Sequence, residues 1–216
     1  LFGQTTSNFL SNHAPEMIDL GTNVGGGTAR IPQVRYGFNL APATKLFISA
    51  EEGDSSGKNI KYSVPNLTAK LTQGFADGKG SVSARALVEN YKSADDSDTA
   101  WGLAAGVNYQ VMDPLKISAD VSYVQGNSNY LYGSNTAFYV NPVNGNIEQN
   151  EAFGVQVGGT YKFNEKLRST LAYGALFADD STDYATLNST ANEEVYQAWI
   201  NFIYSPVKPL DLGVEY

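Results

Sequence analysis

The stretch WGLAAGVNYQVMDPLKISADVSYV, residues 101–124, decides the fold of this chain. From Trp101 to Val111 every odd position is apolar or aromatic, and the positions between are small or polar. After a turn at 112–114 the same alternation resumes. A period of two places one apolar face on a β-strand, so the stretch predicts an antiparallel hairpin with one apolar and one polar face.

The same alternation recurs in about eleven segments, joined by connections that are tight and long in turn. The chain is therefore predicted to be all-β, an antiparallel up-and-down transmembrane β-barrel whose tight turns lie on one side of the membrane and whose long loops lie on the other. Tyr and Phe recur near the strand ends, as in an interfacial aromatic girdle. The predicted strands cover residues 1–4, 31–40, 45–52, 67–75, 81–91, 100–111, 115–124, 152–163, 167–177, 195–204 and 210–216.

A soluble β-sandwich would show the same period and is the alternative to a membrane barrel. The predicted strands favour the barrel because their length of about ten residues suits a tilted membrane crossing. Their non-apolar face is also rich in Gly, Ser, Thr and Asn rather than in charge. The rival function is a surface adhesin or carbohydrate-binding β-protein, whose binding surface would be the loop 127–150 with its aromatic residues Tyr130, Tyr132, Phe138 and Tyr139.

Composition excludes several classes of function. The 216 residues include no cysteine, which removes disulfide frameworks and thiolate metal sites, and the formal charge of −8 argues against nucleic acid as a partner. His13 is the only histidine, with no spacing typical of a hydrolase, so we expect no catalysis, no cofactor and no metal centre. The acidic run Asp95, Asp96 and Asp98 lacks the pattern of an EF-hand and suggests a solvated loop near lipopolysaccharide.

The number of strands bears on completeness. An odd count of about eleven would place the two ends of the chain on opposite sides of the membrane, whereas bacterial single-chain barrels have even counts. The expectation is therefore a single β-barrel domain, residues 1–216, that is incomplete. An intact mass near 23 kDa for the source protein would contradict this.

The connection at residues 5–29 is long and rich in glycine, and it contains Pro15, Glu16 and Asp19. Arg30 and Arg35 follow on the returning strand. These features resemble the third loop of general porins, which folds into the lumen and faces a basic cluster. On this basis residues 5–29 are predicted to be a folded-in constriction loop.

Three runs within the first 40 residues are similar to the DcaP-like porins. They are LFGQTTS at 1–7, PEMID at 15–19 and RIPQVRY at 30–36. That family is known as trimeric, 16-stranded outer-membrane channels of Gram-negative bacteria, associated with uptake of small anionic compounds such as dicarboxylates. The resemblance implies an outer-membrane porin, a homotrimer in contact with membrane lipid and lipopolysaccharide, and a chain running from about the fifth strand to the fifteenth.

The period of two also assigns charges to faces. With the apolar face outward, the inward basic residues are predicted to favour small anionic solutes, because Arg and Lys in a pore attract anions. The same alternation also points five carboxylates inward, so the basic residues could instead be paired with them. These carboxylates are Glu51, Glu89, Asp120, Asp211 and Glu215. The constriction candidates are Arg30, Arg35 and Arg85 with Glu16 and Asp19 opposite, and the further candidates are Lys45, Lys70 and Arg168.

Overall fold

The computed structural model describes residues 1–19, 23–27, 29–53, 60–126, 130–179 and 182–216. Eleven strands form one continuous antiparallel sheet in which each pairs with its neighbours in chain order, and the short β4 pairs with β6. The elements are β1 (Phe2–Thr6), β2 (Arg30–Ala41), β3 (Thr44–Glu51), β4 (Lys61–Tyr62), β5 (Asn66–Phe75), β6 (Gly80–Lys92), β7 (Ser97–Met112), β8 (Leu115–Gln125), β9 (Phe138–Val140), β10 (Ile147–Gln149), β11 (Glu151–Lys162), β12 (Leu167–Ala178), α1 (Asp183–Leu187), β13 (Glu194–Val207) and β14 (Leu210–Glu215).

The two faces of the sheet differ as the period of two predicts. One face, the apolar face, exposes large hydrophobic side chains on strand after strand, for example Val34, Leu103 and Phe202. The other, the polar face, carries buried polar side chains such as Thr68 and Asn201. An exposed apolar face this extensive is stable only against lipid or another apolar surface.

The segments 7–19 and 23–27 of the long connection after β1 lie along the polar face. Phe9 and Leu10 are buried there, in a cluster with Leu87 of β6 and Leu176 of β12. Met17 packs in a second small cluster with Trp199 of β13. Polar side chains of the sheet are therefore buried by the chain's own loop. Residues 20–22 and 28 of the predicted 5–29 loop lie outside the described residues.

The up-and-down order of the eleven strands is confirmed, and their predicted bounds agree with the structure to within a few residues. Three connections contain more structure than the sequence indicated: β4 near the end of 53–61, the β9–β10 hairpin inside 127–150, and α1 inside 178–192. Residues 54–59, 127–129 and 180–181 of these loops lie outside the described residues. The described helices are all too short and too polar to span a membrane.

Candidate functional site

Two basic side chains of the sheet hold the loop by its backbone. Lys70 of β5 donates from Nζ to the carbonyl oxygen of Leu10 at 2.6 Å, and Arg85 of β6 donates from Nη1 to the carbonyl oxygen of Phe9 at 2.9 Å. Both side chains are buried. Hydrogen bonds from charged donors are stronger than neutral ones, and these two fix consecutive residues of the loop.

Arg85 also forms a buried ion pair with Asp120 of β8, with Nη2 2.6 Å from Oδ2. The strand between them is β7, where Ala104 lies opposite Arg85 and Gly106 lies opposite Asp120. Because both of these residues are small, the long arginine side chain can reach across the intervening strand. Ser11 of the loop donates to the same Oδ2 atom, so the ion pair is covered and held by the loop.

His13 lies over the first residues of β6 and is buried. Its Nε2 is 2.9 Å from the hydroxyl of Ser81, and its Nδ1 is 3.0 Å from the hydroxyl of Ser83. Burial, together with the positive charges of Arg85 and Lys70, lowers the pKa of His13 to about 4. The imidazole is therefore neutral near pH 7, where one ring nitrogen donates a hydrogen bond and the other accepts one.

A second buried carboxylate lies near the long-loop end of the sheet. Glu51 of β3 accepts from the backbone N–H of Asn8 at 3.1 Å, from Ser49 at 2.8 Å and from Thr68 at 2.6 Å. The hydroxyl of Tyr130 donates to its other oxygen at 3.1 Å. Burial and the charge of Glu51 raise the pKa of Tyr130, which stays a hydrogen-bond donor.

The last three strands hold the following part of the loop through one arginine and one glutamate. Arg168 of β12 donates hydrogen bonds of 2.8 to 3.1 Å to both carboxylate oxygens of Glu16. It also donates to Oδ2 of Asp211 at 2.9 Å. The Glu215 carboxylate of β14 accepts the backbone N–H groups of Ile18 and Asp19, each at 2.9 Å. Anchoring therefore relies on two buried basic groups of β5 and β6, on Arg168 of β12 and on the Glu215 carboxylate of β14.

Glycines on the polar face allow the loop to approach the sheet closely. A Cβ atom on Gly154 would lie 2.4 Å from the carbonyl oxygen of Gly25, and one on Gly174 would lie 2.2 Å from that of Val24. Such distances are shorter than van der Waals contact, so a side chain would push the loop away. Similar close approaches occur at Gly102, Gly106, Gly158 and Gly213.

The basic cleft, defined by Arg35, Lys45 and Lys70, opens between the loop and strands β2 to β6 and has a volume of about 730 Å³. Among the described residues, no carboxylate lines it. Arg35 is fixed by its own hydrogen bonds to Gln33 and to the carbonyl oxygen of Thr6. The aromatic ring of Phe47 forms part of the wall.

The mixed cleft, defined by Arg30 and Glu16, is lined almost entirely by the loop itself and has a volume of about 660 Å³. Neutral side chains, including Asn12, Asn23 and Met17, complete its lining. Arg30 is exposed, and its side chain donates a long hydrogen bond of 3.5 Å to the carbonyl oxygen of Gln4. The two clefts thus differ in charge, since one is lined by cations and the other by both signs.

The structure separates the predicted site residues into four groups. Arg35, Lys45 and Lys70 come together in the basic cleft, and Arg30 and Glu16 line the mixed cleft. Arg85 lies under the loop, 3% exposed, and is bonded to protein groups on the polar face. Arg168 is bonded to Glu16, and Asp19 is exposed with its backbone fixed by Glu215.

Sequence reasoning missed how the loop is held. The sequence places His13 in the 5–29 loop and Asp120 and Glu51 on the inward face, as the structure does, but it does not indicate that all three are buried where the loop meets the sheet. Glycines at polar-face positions of β7, β11, β12 and β14 are the sequence signal that could have indicated where the loop contacts the sheet. In an open channel such positions have no reason to lack a side chain.

The aromatic residues of the loop 127–150 are divided between the interior and the surface. Tyr130 and Phe138 are buried, the first against Phe9 and the second against Tyr91, with ring centroids 5.3 and 4.5 Å apart. Tyr132 and Tyr139 are exposed. The rival interpretation as an adhesin would therefore depend on two of the four rings.

Within the described ranges, no three His, Asp or Glu side chains gather as metal ligands would. A continuous antiparallel sheet with a lipid-compatible face, a polar face and a loop held on that polar face defines an outer-membrane β-barrel protein. The chain belongs to the DcaP outer membrane protein family, whose sequence model matches residues 1–216. Its location is the outer membrane, as the resemblance in the first 40 residues implied.

A solved channel structure that carries the DcaP name is similar over the whole of this chain. The crystal structure of the outer membrane channel DcaP of Acinetobacter baumannii superimposes with a TM-score of 0.93 at 66% sequence identity, over 100% of this chain. The chain spans 63% of the length of that channel. A NanC porin structure gives a TM-score of 0.44 at 9% identity, over 99% of this chain and 83% of that one. No curated protein matches the chain.

Proposed function

We propose that the chain forms the greater part of the wall of a passive outer-membrane channel for small hydrophilic anions, with residues 5–29 as its constriction loop. The observation that carries this proposal is the basic cleft, in which Arg35, Lys45 and Lys70 line one space beside the loop with no carboxylate among the described lining residues. Cationic side chains in a pore concentrate anions and offer charge-assisted hydrogen bonds to carboxylates.

The chemistry of the cleft favours a solute with two carboxylates. Lys45 is exposed, whereas Lys70 already donates to the backbone of Leu10 and Arg35 to that of Thr6, so these last two cations offer only part of their donor capacity. A dicarboxylate can contact two of them at once, and each contact stays weak enough to be released. Conduction requires this combination of favourable entry and easy exit.

Anion preference rests on unequal pairing of the charges. Arg85 and Arg168 are neutralised by Asp120, Glu16 and Asp211 and add little to the field in the lumen. Arg30, Arg35 and Lys45 have no ion-pair partner within 4.0 Å among the described residues. The resemblance to the DcaP-like porins supports a homotrimer surrounded by outer-membrane lipid and lipopolysaccharide.

The test is single-channel recording of the full-length protein in a planar bilayer, with the reversal potential measured under a KCl gradient. We expect anion selectivity that falls severalfold in the double variant Arg35→Gln, Lys45→Gln. The matched control is Lys162→Gln with Lys166→Gln, which removes two cations beside the tight turn near Asn164. Cation selectivity, or equal effects of the two double variants, would contradict the proposal.

The solute class is tested on the same channels. Succinate added to one side is expected to interrupt the chloride current at lower concentration than acetate, because it alone can contact two cations at once. Succinamide, which has the same length and no charge, serves as the control. Equal block by succinate and acetate would contradict a preference for dicarboxylates. It would not contradict the preference for anions.

A further inference from the structure

His13 is the one titratable group on the loop that is buried against the sheet without a charged hydrogen-bond partner of its own. Both partners of its ring are serine hydroxyls of β6, Ser81 at 2.9 Å and Ser83 at 3.0 Å. A serine can donate to or accept from a ring nitrogen, so these bonds suit the neutral ring and do not compensate a positive charge.

The charged groups around His13 come from three strands. Lys70 of β5 and Arg85 of β6 are positive, and Asp120 of β8 is negative. β7 contributes Gly106, whose position faces the Cβ atom of His13, and the loop contributes the neutral Ser11. Lys70, Arg85 and Asp120 together carry one net positive charge, since Asp120 is already paired with Arg85. Protonation of His13 would raise the net charge of this buried cluster to two.

We propose that His13 makes the attachment of the loop to the polar face acid-sensitive, so that proton uptake on this ring releases the segment 7–19 into the channel. His13 is 2% exposed while the loop is attached, so its ring takes up the proton when the loop is away from the sheet. The protonated ring then disfavours the return of the loop to the sheet. Acid thus shifts the population toward the released loop.

The position of His13 explains why one residue can govern the whole segment. It lies between the anchors at Phe9, Leu10 and Ser11 on one side and the contacts of Glu16 to Arg168 on the other. Lys70 and Arg85, which repel the charged ring, are the same side chains that hold the carbonyl oxygens of Leu10 and Phe9. Charging the ring therefore opposes the contacts that keep the loop in place.

The first test is hydrogen exchange of the amides of residues 7–19 in the full-length protein, corrected for intrinsic exchange rates. With a pKa of 6.5 for the free ring and about 4 for the buried one, protection is expected to fall about 50-fold between pH 7 and pH 4.5. His13→Asn, which stays neutral, is expected to change less than twofold. His13→Lys, which stays charged, is expected to show weak protection already at pH 7.

Heat-modifiable migration confirms that each variant forms a barrel before exchange is measured. An equal loss of protection in wild type and His13→Asn would assign the acid effect to carboxylates and overturn the proposal. Unchanged protection in both, or full protection in His13→Lys at pH 7, would overturn it as well.

The electrical consequence rests on the proposed channel function, whereas the exchange experiment does not. In planar bilayers the released loop is expected to cause brief closures that become at least fivefold more frequent between pH 7 and pH 4.5 in wild type and not in His13→Asn. A pH-dependent loss of protection without any conductance would retain the role of His13 and contradict the channel. Conductance with equally frequent closures in both proteins would contradict the role of His13 and retain the channel.

Discussion

Arg85 and Asp120 form an ion pair beneath the loop, with Nη2 2.6 Å from Oδ2 and each side chain 1% exposed. The two residues are separated by the whole of β7 in the sheet and by 35 positions in the sequence. The same arginine holds the carbonyl oxygen of Phe9, and the same aspartate accepts from Ser11. One pair of side chains therefore joins two strands and the loop.

Replacing Asp120 by Asn is expected to destabilise the folded chain by about 3–5 kcal/mol, because Arg85 stays buried without a counter-charge. Urea-induced unfolding of the full-length protein in lipid vesicles, followed by tryptophan fluorescence, measures the loss. Asp113→Asn, at an exposed turn, is the control and is expected to change stability by less than about 0.5 kcal/mol. Equal stabilities of the two variants would show that the pair contributes nothing.

Gly154→Ala is expected to lift the loop from the sheet, since the added Cβ would lie 2.4 Å from the carbonyl oxygen of Gly25. Hydrogen exchange of residues 23–27 is expected to accelerate at least tenfold. The matched control on the same strand is Gly159→Ala, where the nearest atom to the new Cβ is a flexible leucine side chain at 3.7 Å. Comparable exchange in the two variants would contradict a close approach at β11.

Glu16→Gln removes one carboxylate from the mixed cleft and leaves Arg168 paired with Asp211. The Glu16–Arg168 pair is partly exposed, so the loss of stability is expected to stay below about 1 kcal/mol. The reversal potential under a KCl gradient is expected to move toward greater anion selectivity. Glu165→Gln, at the tight turn between β11 and β12, is expected to move it less.

The free energy of unfolding is expected to fall as the pH falls from about 6.5 to 4. The pKa of His13 is about 4 in the folded chain, below its ordinary value, so the unfolded chain takes up the proton first and is favoured over this range. Unfolding should therefore be accompanied by uptake of up to one proton at His13. The difference in pH dependence between wild type and His13→Asn measures it, and identical slopes would contradict the assignment.

The strands were predictable because a single physical rule decides them. Each crossing has lipid on one side, so apolar residues must recur at every second position, as Leu103, Ala105 and Val107 do on β7. The tight turns were predictable for a similar reason, since few residue types fit them. The β9–β10 hairpin and α1 lie in long loops where no alternation with lipid applies, and their sequences gave no comparable signal.

The charged residues show where sequence reasoning stops. The period of two places Arg35, Lys70 and Arg85 correctly on the polar face, but it is silent about partners. A basic side chain can either be open to the lumen or be paired with a carboxylate. Which of the two holds depends on the register across several strands, as with Arg85 and Asp120 on either side of β7. It also depends on where the loop descends, which is set by contacts as distant in sequence as Lys70 with Leu10.

The hydrogen bonds that the backbone N–H groups of Ile18 and Asp19 donate to Glu215 join residues nearly two hundred positions apart. Contacts of such sequence separation form late, because the entropy of closing the intervening chain must first be offset by the strands between them. The loop can reach its final position only after β2 to β14 are in register. A correctly placed loop therefore reports that strands β2 to β14 have paired in register, and a slipped strand would leave buried polar side chains of the sheet uncovered.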